Sequence, residues 1–481
     1  ADLLARCEQL GITRPQLDAF VEELAHARRG AGPLPTQRST TGKPARLSRP
    51  RRRSAWVLGP SPKAPGSLRF CLPLSEGERE ANIIAAAIGV TRIALVGELD
   101  ELGVQVAQAY RPDSPWSTTA GSGKSETRAG ARIGGVLEEA EKYAQERFTQ
   151  VDLTGSYRDL TDRSPPAIDP STLDLPYDSR YQPDLTIGWT RAFDLLGMTP
   201  CLVPSAAVIA DRLPQDIYYS ARRGEKIFSS SGLASGFTLE EALTHGLCEL
   251  IERHALRMAE LQLSNPGIPQ PDVFSFVDLA TAPASVQRLA RKLTATGHTL
   301  RVLDITSEVQ VPTFEARLYA LDALRPFSAS GTATHPNAEV ALQMALLEAA
   351  QTKIGAVSGS REDLSIAARS LGRHERPRPF RPTSEVFWYG ADPPLNPFSA
   401  ITHFVSRDAY DDLRWVLAAL ARAGVTHVPA VDYSLPALAP MRAVRVLTPG
   451  LESANPFHTG LRARTLAIRD LLPRPREGAR R

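Results

Sequence analysis

Residues 237–258, FTLEEALTHGLCELIERHALRM, have the periodicity of a helix with an acidic stripe. Side chains three and four positions apart lie on the same face of a helix. One face therefore carries Glu241, His245, Glu249 and Glu252. Like charges at these spacings repel each other by roughly 0.2–0.5 kcal/mol per pair, and no Lys or Arg lies between residues 240 and 252. Either water or a cation therefore solvates this face.

The overall composition is that of a soluble globular protein. Of the 481 residues, 42% are hydrophobic and 23% are charged, which excludes disorder of the whole chain. The net charge of +3 does not require nucleic acid as a partner. The four cysteines form no CxxC pair, which excludes a Cys-built zinc site and fits a reducing cytoplasm. No apolar run approaches the roughly 20 residues that span a membrane, so we expect a cytoplasmic protein without a membrane partner.

The chain divides into four predicted segments. Residues 1–29 carry helical periodicity and are predicted to form an N-terminal helical extension. Residues 30–67 are rich in Pro, Gly, Ser and Arg and are predicted to be a flexible linker. Runs of β type alternate with helical segments over residues 68–473, which predicts an α/β (α+β) domain of layered sheets and helices. Residues 474–481 should form a mobile tail.

Two further helices carry polar groups at the same spacing. Glu138 and Glu141 lie three apart in AGARIGGVLEEAEKYAQERF, as do Glu348 and Gln351 in AEVALQMALLEAAQTKI. The second of these helices is apolar nearly all round, which predicts that it is buried. A buried Glu348 without a partner would cost several kcal/mol or stay protonated.

Each of these patterns also has an ordinary explanation. An E-x-x-E pair on a helix usually faces water, and Glu348 could form a salt bridge with an Arg. The three helices together favour a metal site, because carboxylates gathered from several helices suit hard divalent cations. A di-iron site would need a Glu-x-x-His pair, which these helices lack. Mg²⁺ with a nucleotide fits best, since Mg²⁺ usually binds together with substrate phosphates.

The glycine-rich segments do not form a P-loop. GSGKS at residues 121–125 resembles the end of one, but the GxxxxGK[ST] spacing requires Gly at position 118, which is Thr. We therefore exclude a Walker-type ATPase and interpret GSGKSET as a small loop that carries a Lys. The segment FSSSGLASGFT, residues 228–238, precedes the acidic helix, where its backbone amides could bind phosphate or simply cap the helix.

Three segments together resemble the YcaO family, ATP-using enzymes that activate backbone amides of peptides. These segments are GSGKSETRAGARIGGVLEEAEKY, SSSGLASGFTLEEALTHGLCELIERHA and GTATHPNAEVALQMALLEAAQTKIGAVSGSREDL. The likeness runs from about Leu68 to about Pro473. It implies the family's α/β fold, with an acidic Mg-ATP cleft between helices rather than a P-loop.

The resemblance also implies which residues bind the cofactors, ATP and Mg²⁺. The implied Mg²⁺ ligands are Glu138, Glu141, Glu249, Glu252 and Glu348. The implied nucleotide contacts are Lys124, Ser231, Glu241, Arg253 and Gln351. The resemblance assigns no individual catalytic residue.

The chain departs from the family pattern at several positions, of which Met344 matters most. Met344 stands where the family usually has an Arg that faces the phosphates, and losing such a donor should weaken ATP binding. In an active protein the missing cation must come from Arg253, Lys353, Arg361 or a partner protein. The other departures are Ser125 for Gly, Ser231 and Phe237 for Asn, and His254 for Asp.

The activity implied is ATP-dependent O-phosphorylation of backbone amides in a ribosomally made precursor peptide. A peptide side chain as nucleophile gives an azoline, the product of a cyclodehydratase, whereas external sulfide gives a thioamide with a TfuA-type partner. The partners implied are the precursor peptide and a TfuA-like or E1-like docking protein, and a homodimer is left open. Two alternatives remain. One is a non-catalytic scaffold, suggested by Met344 and Ser231, and the other is a ribosome- or RNA-associated accessory factor, suggested by RPRRR at residues 49–53 and by the Arg-rich tail.

Overall fold

A computed structural model describes most of the predicted domain. The described residues are 56–115, 120–161, 163–176, 178–263, 275–320, 327–358 and 394–453. They all belong to one compact unit that runs from Arg49 to Arg481. The predicted helical extension, the linker up to residue 55, RPRRR and the predicted tail lie outside the described residues.

The described residues form helices and strands that alternate along much of the chain. The helices are α1 (Leu74–Ile88), α2 (Arg128–Glu146), α3 (Tyr157–Leu160), α4 (Ser205–Val208), α5 (Leu239–Leu263), α6 (Ala284–Thr294), α7 (Ala338–Val357) and α8 (Ala409–Arg422). The first eight strands are β1 (Arg92–Leu95), β2 (Gln105–Tyr110), β3 (Ala120–Ser125), β4 (Leu153–Gly155), β5 (Ile187–Asp194), β6 (Thr199–Pro204), β7 (Tyr219–Ser220) and β8 (Glu225–Lys226). The others are β9 (Leu233–Gly236), β10 (Ser275–Asp278), β11 (Thr299–Asp304), β12 (Thr313–Ala320), β13 (Phe327–Thr334), β14 (Leu395–Pro397), β15 (Pro429–Asp432) and β16 (Arg442–Val446).

Each acidic helix packs on a sheet of its own. Helix α2 covers the antiparallel sheet β1-β2-β3, and α7 covers β12 and β13 of the sheet β13-β12-β11-β10-β14. Helix α5 covers β9 and β16 of the sheet β4-β5-β15-β16-β9, in which β6 also pairs with β5. Contacts of α2 with β9, of α5 with β13 and of α7 with β3 join the three layers. The predicted fold class of layered sheets and helices is therefore confirmed.

Helix α7 is as buried as its sequence predicts. Ala341, Leu342, Ala345, Leu346 and Ala349 are all fully buried. They pack in one hydrophobic core with residues of β11, β12 and α6. A helix that is apolar nearly all round must be enclosed on most sides, because each exposed apolar face would lose the free energy of burial. Glu348 is therefore held rigidly on a core element.

The GSGKS segment is strand β3 rather than the loop predicted from its sequence. Its glycines allow the strand and helix α2 to touch. A Cβ on Gly123 would lie 2.0 Å from the Ala131 carbonyl oxygen and 2.2 Å from the Gly135 nitrogen, and one on Gly121 would lie 2.2 Å from the Gly135 oxygen. This close packing explains why residues 121 and 123 are glycines. Lys124 and Ser125 lie at the end of the same strand, which determines their positions.

We expect Gly123→Ala to destabilise the protein by about 1–3 kcal/mol or more, because the added methyl group overlaps backbone atoms that cannot move independently. Urea unfolding of the variant and the wild type measures the difference. Gly155→Ala is the matched control, since Gly155 also lies in a strand but a Cβ there would meet nothing within 4 Å. Equal unfolding midpoints for the Gly123 variant and the wild type would contradict the packing role.

The end of the predicted linker is held by buried contacts. Ser61 Oγ donates a hydrogen bond of 2.8 Å to Glu240 on α5. Lys63 Nζ lies 2.5 Å from Asp412 Oδ2 on α8, and the two side chains are 2% and 3% exposed. Residues 56–67 are therefore part of the folded domain rather than a flexible arm. The other predicted segment boundaries stay predictions.

No helix in the portion of the chain that the structure describes is both long and apolar enough to cross a membrane.

Candidate functional site

The five predicted metal ligands lie near one another between helices α2, α5 and α7. Burial raises the pKa of Glu252 to about 8, and the negative charges of Glu348 and Glu249 contribute to the rise. Burial also raises the pKa of Glu141 to about 8, with contributions from Glu138 and Glu249. Charges on three different helices therefore act on one another. This mutual repulsion is what a divalent cation would relieve.

Glu348 forms an ion pair with Lys124 rather than with an Arg. Lys124 Nζ of β3 lies 2.5 Å from Glu348 Oε2 of α7, and the side chains are 16% and 28% exposed. One turn further along α7, Gln351 Nε2 donates hydrogen bonds of 2.8 Å and 3.1 Å to the hydroxyl and carbonyl oxygens of Ser122. Two of the predicted nucleotide contacts, Lys124 and Gln351, therefore lie beside a predicted metal ligand.

Arg253 lies between the two predicted metal ligands of α5. Its Nη2 is 3.8 Å from Glu249 Oε1, and its Nη1 is 3.6 Å from Glu252 Oε1. The charge of Glu252, and then that of Glu249, raises the pKa of Arg253, while burial opposes the rise. The Gly232 amide, next to Ser231, donates to Glu249 Oε2 at 3.0 Å.

The two carboxylates of α2 are also hydrogen-bonded. Ser235 Oγ of β9 donates a bond of 2.7 Å to Glu141 Oε1, which is buried. Glu138 is more exposed and accepts a bond of 3.0 Å from the Ser122 amide, while Lys142 Nζ lies 3.2 Å from its other oxygen. Sheet residues on both sides of α2 therefore fix the directions of these carboxylates.

Backbone amides of residues 228–238 donate hydrogen bonds to carboxylates of helix α5. The Phe237 amide donates to Glu241 Oε2 at 2.9 Å, and Thr238 Oγ1 accepts a bond of 3.1 Å from the Glu241 amide. This reciprocal pattern is that of a capping box. Together with the Gly232 bond to Glu249, it favours the capping interpretation of the segment over direct phosphate binding. Glu241, a predicted nucleotide contact, therefore takes part in capping the N-terminus of α5.

Arg69 is a candidate site residue that the sequence did not indicate. Its Nη1 lies 2.9 Å from Met344 Sδ, at the position where the family usually has an Arg. Burial lowers the pKa of Arg69, while the charges of Glu241 and Glu141 oppose the change. The segment around Arg69 contains no motif, and only the need for a cation near Met344 pointed to such a residue.

One of the cations proposed to replace the missing Arg is placed elsewhere. Lys353 forms an ion pair with Asp100, at 2.9 Å, and Arg361 lies outside the described residues. Arg253 is near the site but is shared between Glu249 and Glu252, as described above.

The donor set fits Mg²⁺ in its chemistry. Within the described ranges, no three His, Cys, Asp or Glu side chains lie close enough to form a metal site as they stand. Lys124, Lys142 and Arg253 instead supply positive charge among the five carboxylates. Carboxylate oxygens are the ligands that Mg²⁺ prefers, and a divalent cation would replace the charge of these side chains. The residue assignments stay predictions.

We expect Mg²⁺ affinity to rise about tenfold or more between pH 6.5 and 7.5, because Glu141 and Glu252 must lose protons to bind a cation. The metal-free protein should lose stability from about pH 4.5 to pH 8, since the folded state holds these protons more tightly than the unfolded chain does. Calorimetry at several pH values measures the first effect and urea unfolding the second. In Glu141→Gln both slopes should become shallower; unchanged slopes would contradict the assignment.

In the described part of the chain, acidic helices from three sheet layers meet without a P-loop, and this combination of fold and site defines the class of protein. The chain belongs to the YcaO family. The family model, described as a YcaO cyclodehydratase that binds ATP and Mg²⁺, matches residues 122–452. The predicted family is thereby confirmed, and ATP and Mg²⁺ are the cofactors of that family.

The chain is similar to a protein of Rhizobium leguminosarum bv. trifolii described as an uncharacterized protein in the tfuA 3′ region. The two are 30% identical over 393 residues, which cover 78% of this chain and 87% of the relative.

Two solved structures share the fold. A heterocyclase in complex with substrate and cofactor has a TM-score of 0.67 at 19% identity, covering 88% of this chain and 58% of that chain. YcaO from Methanopyrus kandleri, bound with AMPPCP and Mg²⁺, has a TM-score of 0.58 at 19% identity, covering 85% of this chain and 96% of that chain. The present chain thus spans little more than half of the heterocyclase.

Proposed function

We propose that this protein uses Mg-ATP to activate a backbone amide of a peptide. The observation that carries the proposal is the meeting of five carboxylates from α2, α5 and α7 with Lys124, Arg253 and Gln351. When bound, Mg-ATP supplies the phosphoryl group that turns a poor leaving group, the amide oxygen, into a good one.

The residues of the chain would act mainly by binding and orienting. The carboxylates of Glu138, Glu141, Glu249, Glu252 and Glu348 would hold Mg²⁺. Because Mg²⁺ would then neutralise Glu348, Glu249 and Glu252, Lys124 and Arg253 would become available to phosphate oxygens. Gln351 and Ser231 would add uncharged contacts to the nucleotide.

We infer that the product is a thioamide rather than an azoline. The relative from Rhizobium lies in a tfuA 3′ region, which supports a TfuA-type partner and external sulfide as the nucleophile. The azoline product remains the alternative for the same activated amide. The non-catalytic scaffold rests on Met344 and Ser231, and the position of Arg69 against Met344 weakens the first of these two arguments.

The test combines the purified chain, Mg-ATP, sulfide and short peptides encoded beside its gene, with and without a TfuA-like protein encoded there. We expect peptide-dependent release of ADP and phosphate, and a peptide mass that reflects replacement of one oxygen by sulfur. Loss of one water from the peptide would show an azoline instead. Tight Mg-ATP binding without peptide-dependent ADP release would favour the scaffold.

A further inference from the structure

Residues 56–71, which we call the strap, contact three helices, of which α5 and α7 belong to the candidate site. Ser61 bonds to Glu240 near the start of α5, and Lys63 pairs with Asp412 of α8. At the far end of the strap, Arg69 reaches Met344 of α7. The strap therefore connects a buried anchor on α8 to a cation among the metal-site helices.

The backbone between the anchor and Arg69 is closed into a loop. The Ala64 amide donates to the Phe70 carbonyl at 2.8 Å, and the Ser67 amide donates to the Ala64 carbonyl at 2.9 Å. Ser67 Oγ then accepts bonds from the amides of Arg69 and Phe70, at 3.1 Å and 2.7 Å. Since these bonds leave the loop little freedom, the position of Lys63 determines the position of Arg69.

Arg69 lies at a position where burial makes a cation without a paired anion energetically unfavourable. Among the residues that the structure describes, no carboxylate lies within ion-pair distance of its guanidinium, and its closest polar contact is the Met344 sulfur. Burial, followed by the charge of Arg69, lowers the pKa of His245 to about 3 and that of His335 well below its ordinary value, so both rings are neutral. The guanidinium is therefore a positive group of this part of the site and has capacity for a phosphate oxygen.

We propose that the strap presents Arg69 to the nucleotide in place of the arginine absent at position 344, and that Lys63 is the positioning residue. This inference rests on the proposed function, because the ligand of Arg69 is the phosphate chain of ATP. Lys63 does not touch the nucleotide and acts through Arg69. The buried pair with Asp412, together with backbone bonds of Ser61 and Lys63 to residues 407–409, fixes one end of the closed loop. The other end of the loop carries the guanidinium.

The test determines whether Lys63 affects nucleotide affinity only when the strap supplies the cation. Affinity for Mg-AMPPCP is measured by calorimetry in wild type, Lys63→Met, the relocated variant Arg69→Met with Met344→Arg, and the relocated variant that also carries Lys63→Met. In the wild-type background we expect Lys63→Met to weaken binding about tenfold. In the relocated background the same change should alter binding less than about twofold, because the cation is then carried by α7.

Two further variants separate positioning from folding. Lys63→Arg, which keeps the pair with Asp412, should retain most of the affinity. Ser61→Ala removes only the bond to Glu240 and serves where Lys63→Met does not fold; it should weaken binding in the wild-type background alone. Equal losses in both backgrounds would overturn the positioning role while leaving ATP binding intact. A wild type that binds no Mg-AMPPCP would overturn the proposed function and this inference together.

Discussion

Glu348→Gln is expected to reduce the affinity for Mg-ATP on the order of 100-fold, because loss of metal-site groups costs 10- to 100-fold even beyond the direct ligands. The substitution removes one negative charge from α7 and leaves the helix intact, since Gln has nearly the same shape. It also removes the partner of Lys124. Calorimetry with ATP at several Mg²⁺ concentrations measures the loss, which should be greatest at low Mg²⁺.

Glu339→Gln is the matched control for this prediction. Glu339 also lies on α7 but bonds to Ser285, in the first turn of the helix and away from the predicted ligands. We expect nearly unchanged Mg-ATP affinity and similar unfolding midpoints for both variants. If Glu348→Gln bound Mg-ATP as the wild type does, Glu348 would not be a metal ligand.

The helical part of the site was predictable because periodicity determines which side chains share a face. Spacing alone paired Glu249 with Glu252 and Glu348 with Gln351, and the apolar surroundings of Glu348 predicted a buried helix. The structure places these residues on α5 and α7 as expected.

Contacts between distant segments were not predictable in the same way. The ion pair of Glu348 with Lys124 joins residues 224 positions apart, and no local pattern specifies such a pair. The composition of residues 30–67 indicates a linker, because Pro, Gly and Ser bury little surface by themselves. Ser61 and Lys63 are nevertheless held by polar contacts with Glu240 of α5 and Asp412 of α8, which composition does not reveal.

Glycine can also be required for two different structural reasons, which the sequence alone does not distinguish. In GSGKS the glycines are typical of a phosphate-binding loop, and the failed P-loop spacing argues against that interpretation. The structure shows a strand whose glycines touch helix α2. Close approach of a backbone requires Gly whether the neighbour is a phosphate or a helix.

Lys124→Met should change metal and nucleotide binding in opposite directions. Lys124 Nζ lies 2.5 Å from Glu348 Oε2, so a cation that binds this carboxylate must displace the ammonium group. Removing it should raise Mg²⁺ affinity without nucleotide by about tenfold, since one competing charge is lost. The same change should lower ATP affinity about 10- to 100-fold, because a charge-assisted bond to phosphate disappears.

Opposite signs distinguish this role from a structural one, since a general disturbance of the site would weaken both ligands together. The matched control is Lys142→Met, which removes the ion pair with Glu138 at 3.2 Å but no predicted nucleotide contact. It should raise Mg²⁺ affinity without lowering ATP affinity. Mg²⁺ titrations with and without AMPPCP, followed by calorimetry, compare the two variants. If Lys124→Met weakened Mg²⁺ binding in the absence of nucleotide, Lys124 would support the metal site rather than compete for it, and the proposed exchange between cation and lysine would be wrong.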